Sequence, residues 1–285
     1  YTYGGAAASR NSWIGAFDGK GSLPLSKGAG HHFMAQDATA NRIWNRLALA
    51  NADDGTMRLH LQVYPVLAEA TVAFDATSSG TVSASDTVTF EHTCTGSDRI
   101  IVVWTAGNRT ASGVTYNGVS MTQLGTQQTS GGLELDAWYL VGPATGANNV
   151  VVSLPSSGAQ AAVAMSFTGV GQTSPFSTVV ESASAAVNAR SAAPVSRTGT
   201  ITIGGMAHQT NEAHTPESGD TEHQDVGTTN VRLSCNLDAH SSGVVTTVGA
   251  TWETSNDGLR WGFYLRSTLH WHNGDAVKAS HLHQR

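Results

Sequence analysis

Twelve histidines stand in a chain with only 15 lysines and arginines, a ratio that raises the question of metal binding. They fall as His31-His32, His60, His92, His208, His214, His223, His240, His270-Trp271-His272 and His281-Leu282-His283. A His-x-His on a strand sets both rings on one face, which is half of a metal site. No third and fourth ligand stands at a diagnostic spacing, so the sequence reads these as exposed or hydrogen-bonded histidines and assigns no metal. The acidic stretch Asn211 to Asp225 offers Glu217, Asp220, Glu222 and Asp225 to a hard cation. It lacks the alternating Asp and fixed Gly of a calcium loop, and reads as a solvated or partner-contacting loop.

Hydrolysis of sugars needs two carboxyls facing each other across a cleft. Glu134 and Asp136 lie two apart on one expected strand and therefore share a face, where carboxylates ordinarily serve solvation. Trp138 falls on the same face, and an aromatic beside carboxylates suits a ligand or a protein partner; Glu134, Asp136 and Trp138 are thus the candidate contact face. Trp104, Tyr116, Tyr139, Trp252, Trp261 and Tyr264 are further aromatics that could stack on sugars, but a sandwich core needs most of that bulk. No Gly-x-Ser-x-Gly, Cys/His pairing or phosphate-cradling glycine loop accompanies them. The reading is a protein that is not an enzyme and needs no cofactor.

Two cysteines, Cys94 and Cys235, each follow an expected strand. Paired, they would close a loop long enough to contribute roughly 5 kcal/mol in the chain-entropy view. Unpaired, they are two small buried hydrophobes. Spacing leaves both alternatives open.

The elements that position these residues are strands. Only 13% of the residues are charged and 31 are glycine, which suits short twisted strands joined by tight turns. Arg99 to Thr105 is a buried-strand run, Val114 to Val119 carries a hairpin Asn117-Gly118, and Leu133 to Val141 alternates apolar with polar. In the strand expected over 259–267, Leu259, Trp261, Phe263 and Leu265 point one way, and Arg260, Tyr264 and Arg266 the other. The expected class is all-β: a two-sheet antiparallel, jelly-roll-like sandwich with an extended N-terminal arm. Residues 1–70 form the arm and a short strand region, 71–268 the sandwich and 269–285 a C-terminal tail. Within the arm, Trp13, Ile14 and Phe17 are the expected assembly anchors. Residues 41–50 carry the spacing of a short helix, and 56–64 that of a strand ended by Pro65.

The formal net charge is −6 and the basic residues never cluster, so nucleic acid is not an expected partner. No apolar run approaches the roughly 20 residues that cross a bilayer as a helix, and no membrane insertion is expected. The start at Tyr1 lacks the layout of a signal peptide, and any leader is expected to be gone already.

Three runs carry a resemblance: Gly113-Val-Thr-Tyr-Asn-Gly-Val-Ser-Met-Thr-Gln-Leu124, Ala137-Trp-Tyr-Leu-Val-Gly-Pro143 and Ala164-Met-Ser-Phe-Thr-Gly-Val-Gly-Gln-Thr-Ser-Pro175. Together they resemble a β-sandwich module of tailed-phage virion proteins and bacterial secreted proteins. The resemblance covers roughly 72–268 and implies a fold more than an activity. It implies a virion structural protein, in capsid decoration, tail or fibre, bound to other virion proteins or to copies of itself. The alternative is an extracellular carbohydrate-binding or adhesion module, with a cell-surface glycan as partner.

Overall fold

The computed structural model describes residues 35–37, 42–51 and 57–65 as backbone strands, and residues 71–177, 179–193, 200–239 and 247–267. Every regular element among them is a strand. The chain divides into two compact units, Tyr1–Ala68 and Glu69–Arg285.

The first unit holds an antiparallel sheet of β1 (Ala35–Asp37), β2 (Arg42–Asn51) and β3 (Met57–Pro65), in that order. β2 occupies the stretch whose spacing suggests a helix, which corrects that expectation. A short isolated helix is marginal in water, whereas β3 alternates cleanly and offers β2 a ladder from Arg42 opposite Pro65 to Asn51 opposite Met57, interrupted by one register shift between Trp44 and Arg46. The anchors Trp13, Ile14 and Phe17 lie outside the described residues.

The second unit is the expected all-β pair of antiparallel sheets. The first sheet comprises β4 (Ala73–Cys94), β5 (Ile100–Gly107), β6 (Gly113–Tyr116), β7 (Val119–Ser120), β8 (Thr122–Ser130), β9 (Leu133–Val141) and β10 (Gly146–Thr168). The second comprises β11 (Val180–Ala192), β12 (Ile201–His208), β13 (Thr215–Pro216), β14 (Thr221–Thr228), β15 (Val231–Ala239) and β16 (Val248–Leu265). The chain completes one sheet before starting the other.

The two sheets share one wiring. In the first, β10 pairs with β4, β5 and β6, β5 with β9, and β9 with β8. In the second, β16 pairs with β11, β12 and β13, β12 with β15, and β15 with β14. Both long strands break register at the matching place, between Ser153 and Gly158 in β10 and between Thr251 and Asn256 in β16. The residue after each matching strand closes the same bond: Asn108 N–H donates to the Ala159 carbonyl at 3.2 Å, and Gln209 N–H to that of Asp257 at 3.1 Å.

Between the sheets lies the main core. Ile100, Val102, Trp104, Val163, Met165 and Phe167 of the first sheet meet Ile203, Leu233, Leu259, Trp261, Phe263 and Leu265 of the second. Trp104 stacks on Phe263 with ring centroids 6.1 Å apart. Its indole lies on Gly205, where a Cβ would stand 2.3 Å from a ring carbon. The alternation of the last strand is as the sequence indicates, since Leu259, Trp261, Phe263 and Leu265 all face this core.

The opposite face of the first sheet is covered too. Ile101, Val103, Trp138, Ala162 and Ala164 cluster with Val88, Val114, Tyr116, Val150, Val152 and Leu154. The register break in β10 is the corner that turns its first half, with β6 and the end of β4, over that face. β5 is therefore buried along its whole length, which is why it reads as a continuous apolar run. Met206, Val248, Ala250 and Ala192 form a smaller cluster of the same kind on the second sheet.

Side chains tie the sheet edges together. Ser83 and Thr228 hydroxyls meet at 3.0 Å, joining β4 to β14, and Thr126 N–H donates to Glu181 at 3.2 Å, joining β8 to β11. These are equivalent strand pairs in the shared wiring. Cys94 and Cys235 are both buried and both free, and they belong to different apolar clusters. The disulfide alternative is corrected accordingly: the thiols are small core groups, and burial raises the pKa of each.

Candidate functional site

Equivalent wiring places a polar cluster at the same point of each sheet, on the face turned away from the main core and beneath the loop that follows β5 or β12. In the second sheet that loop is 209–214, and it ends in His214. The His214 ring is almost fully buried, and its Nδ1 lies 2.7 Å from the Ser234 hydroxyl on β15. It stacks on Trp252 with centroids 4.9 Å apart, and His208, at the end of β12, stacks on the same indole at 4.6 Å. Burial holds the pKa of His214 down to about 4, so the ring is neutral at physiological pH.

Around this core of rings the charges are used for attachment. Arg232 donates to both carboxylate oxygens of Asp225 at 2.7 Å, and Asp225 also accepts the His214 backbone N–H at 3.1 Å. Asp220 accepts the Gly249 N–H at 2.8 Å, and burial raises its pKa to about 6. The acidic stretch is thus only partly a loop. Thr215–Pro216 and Thr221–Thr228 are strands, and the carboxylates of Asp220 and Asp225 pin them to the sheet. Ser234 is wholly buried, so its hydroxyl orients the imidazole from inside the protein.

In the first sheet the corresponding cluster sits beneath residues 108–112 and contains the sequence candidates. Glu134, Asp136 and Trp138 do share one face, since they alternate along β9 opposite Gly107, Thr105 and Val103. That face is not the solvated exterior expected from alternation. Asp136 is 1% and Trp138 8% exposed, because the folded-over part of the sheet and the loop cover them. Gln123 donates to Asp136 at 2.8 Å, and Gln127 to Glu134 at 2.8 Å, where Thr110 also donates. Burial, with the neighbouring Glu134 charge, pushes Asp136 up to about 6.

No exposed plane is left for a sugar ring at Trp138. Val119 is the one large hydrophobic residue that is exposed among the described residues. Of the histidines, His60 is described as backbone in β3, and the side chains of His92, His208, His214 and His223 are described. His92 is buried, with Nδ1 2.8 Å from the Ser78 hydroxyl and its pKa depressed by burial to about 4. Among the described residues no three His, Cys, Asp or Glu side chains converge as metal ligands. Sequence reasoning missed the grouping of His208, His214, Ser234 and Trp252. Its signal is faint: a histidine inside a polar stretch, and a tryptophan on a separate strand.

No family model matches the chain, and no solved structure matches it. A segment of 34 residues, 12% of this chain, is 94% identical to a segment of the "Uncharacterized protein YbaE" of Escherichia coli (strain K12). The match spans 6% of that protein's length, so it is a likeness of one short segment only.

Proposed function

We propose that this chain is a non-enzymatic structural protein of a tailed-phage virion, a capsid-decoration, tail or fibre component. It assembles with other virion proteins or with copies of itself through its N-terminal segment and its loops, and engages neither nucleic acid nor a membrane interior. The observation that carries this reading is what the ionisable groups do in the two clusters. Asp225 with Arg232, Asp220, Glu134 and Asp136 all spend their hydrogen bonds on fastening loops and strands to the sandwich. A scaffold fastened in this way suits a role exercised through surfaces. The resemblance of 72–268 to virion sandwich modules points the same way.

The test is co-sedimentation. The protein, followed by antibody through a density gradient of a producing culture, travels with intact particles on this account. Recovery only as a soluble extracellular monomer that binds a glycan array would replace the virion reading with the adhesion one.

A further inference from the structure

The covered face of β9 carries more oxygen ligands than its hydrogen bonds use. Two rows of cross-strand neighbours lie side by side there: Gln160, Gly107 and Glu134 in one, and Ala162, Thr105 and Asp136 in the other. Gly107 has no side chain, and Gln160 fills its place, with Oε1 standing 1.7 Å from where a Cβ would be. The amide oxygen therefore lies over the middle of its row, between its own strand and Glu134. Thr105 stands in the next row, directly opposite Asp136.

Two of these groups are acceptors without a donor. Gln160 Oε1 and Thr105 Oγ1 are buried and make no hydrogen bond, although Gln160 is only 1% exposed and Thr105 fully covered. Such groups ordinarily find a partner inside a protein. The two carboxylates are equally short of a counter-charge. Among the described residues the ion pair found is Arg232–Asp225, on the other sheet. The donors that reach Glu134 and Asp136 are neutral: Gln127, Thr110, Gln123 and the Ala111 backbone N–H.

We propose that Glu134 and Asp136, together with the side-chain oxygens of Gln160 and Thr105, hold a divalent hard cation, Ca²⁺ foremost, beneath the 108–112 loop. The ligand chemistry selects the metal class. Two carboxylates with an amide and a hydroxyl oxygen make an all-oxygen set, which suits Ca²⁺ and its flexible coordination and does not suit a metal that seeks imidazole or thiolate. A cation there neutralises two neighbouring like charges and gives the orphaned oxygens a partner. It also ties β9, β5 and β10 to one another beneath the loop.

The experiment uses the full chain stripped with chelator. Tb³⁺ is added as a luminescent substitute, with Trp138 on the same face as the sensitiser, and Ca²⁺ is then titrated by calorimetry. The expected result is saturable, tryptophan-sensitised terbium emission that Ca²⁺ displaces, together with a melting temperature that rises with Ca²⁺. Asp136→Asn and Gln160→Leu weaken binding by at least about tenfold, while Glu217→Gln, on the other sheet, leaves it unchanged. Absence of sensitised emission and of a saturable Ca²⁺ heat in the folded wild-type chain overturns the proposal. So does undiminished binding in a folded Asp136→Asn variant. The wild-type measurement decides the matter even if the variants fail to fold.

Discussion

Trp104 occupies the space that a methyl group on Gly205 would need, so the fit of the two sheets at this point depends on a missing Cβ. Gly205→Ala is expected to cost about 1–3 kcal/mol by overpacking, measured by urea denaturation. Adding Trp104→Phe should recover part of that cost, because neighbours in contact are not additive. Phe263, stacked against Trp104 and edge-on to Phe176 at 5.1 Å, is expected to cost about 3–5 kcal/mol on replacement by Ala. A near-neutral Phe263→Ala would contradict the register of β16. Three buried groups make opposing contributions to the pH dependence. His92 and His214, depressed to about 4 from an ordinary 6.5, are refused protons by the fold that the unfolded chain accepts. Each therefore removes stability as pH falls from about 6.5 towards 4, at up to about 1.4 kcal/mol per pH unit. Asp136, raised to about 6 from 3.8, acts oppositely: the fold holds a proton that the unfolded chain has released, and stability grows as pH falls through that window. Asp136→Asn, measured in chelator, should thus steepen the acid loss of stability below pH 6. An unchanged slope would mean that Asp136 does not take up a proton there.

Among the elements, the strands with the strongest patterns were legible from sequence and the edges were not. The run Arg99 to Thr105 and the alternation of Leu259 to Leu265 lie where their patterns place them, as β5 and the end of β16. The polar stretch Asn211 to Asp225 reads as a loop because β14, at the sheet edge, carries the charge and polarity that edge strands use against unwanted pairing. At the candidate site, alternation places Glu134, Asp136 and Trp138 on one face but is silent about what covers it. The cover comes from the corner in β10, and Pro155-Ser156-Ser157 within it reads as a turn between two strands. The shared wiring of the sheets was illegible for a related reason. Equivalent positions hold different residues, Trp104 against Gly205, Asp136 against Ser234 and Trp138 against Asn236. Hydrogen exchange checks this scale: the amides of β5 and β12, buried throughout, should exchange slowest, and those of β14 distinctly faster. Equal protection of β14 and β12 would contradict the placement of β14 at an edge.

For the molecule as a whole, two sheets of one wiring packed face to face give a sandwich whose equivalent edges, β4 on β14 and β8 on β11, are tied by side chains. The apolar core holds the two layers together, and the polar clusters on their outer faces fasten loops and strands to them, which leaves loops and edges as the surfaces the proposed role would use. The proposed virion role rests on that division of labour. Quantitative mass spectrometry of gradient-purified particles tests it most directly. The account predicts this chain at a fixed copy number relative to the major capsid or tail proteins, retained after high-salt washing. Its absence from the particles, with full recovery in the soluble fraction, would contradict the account.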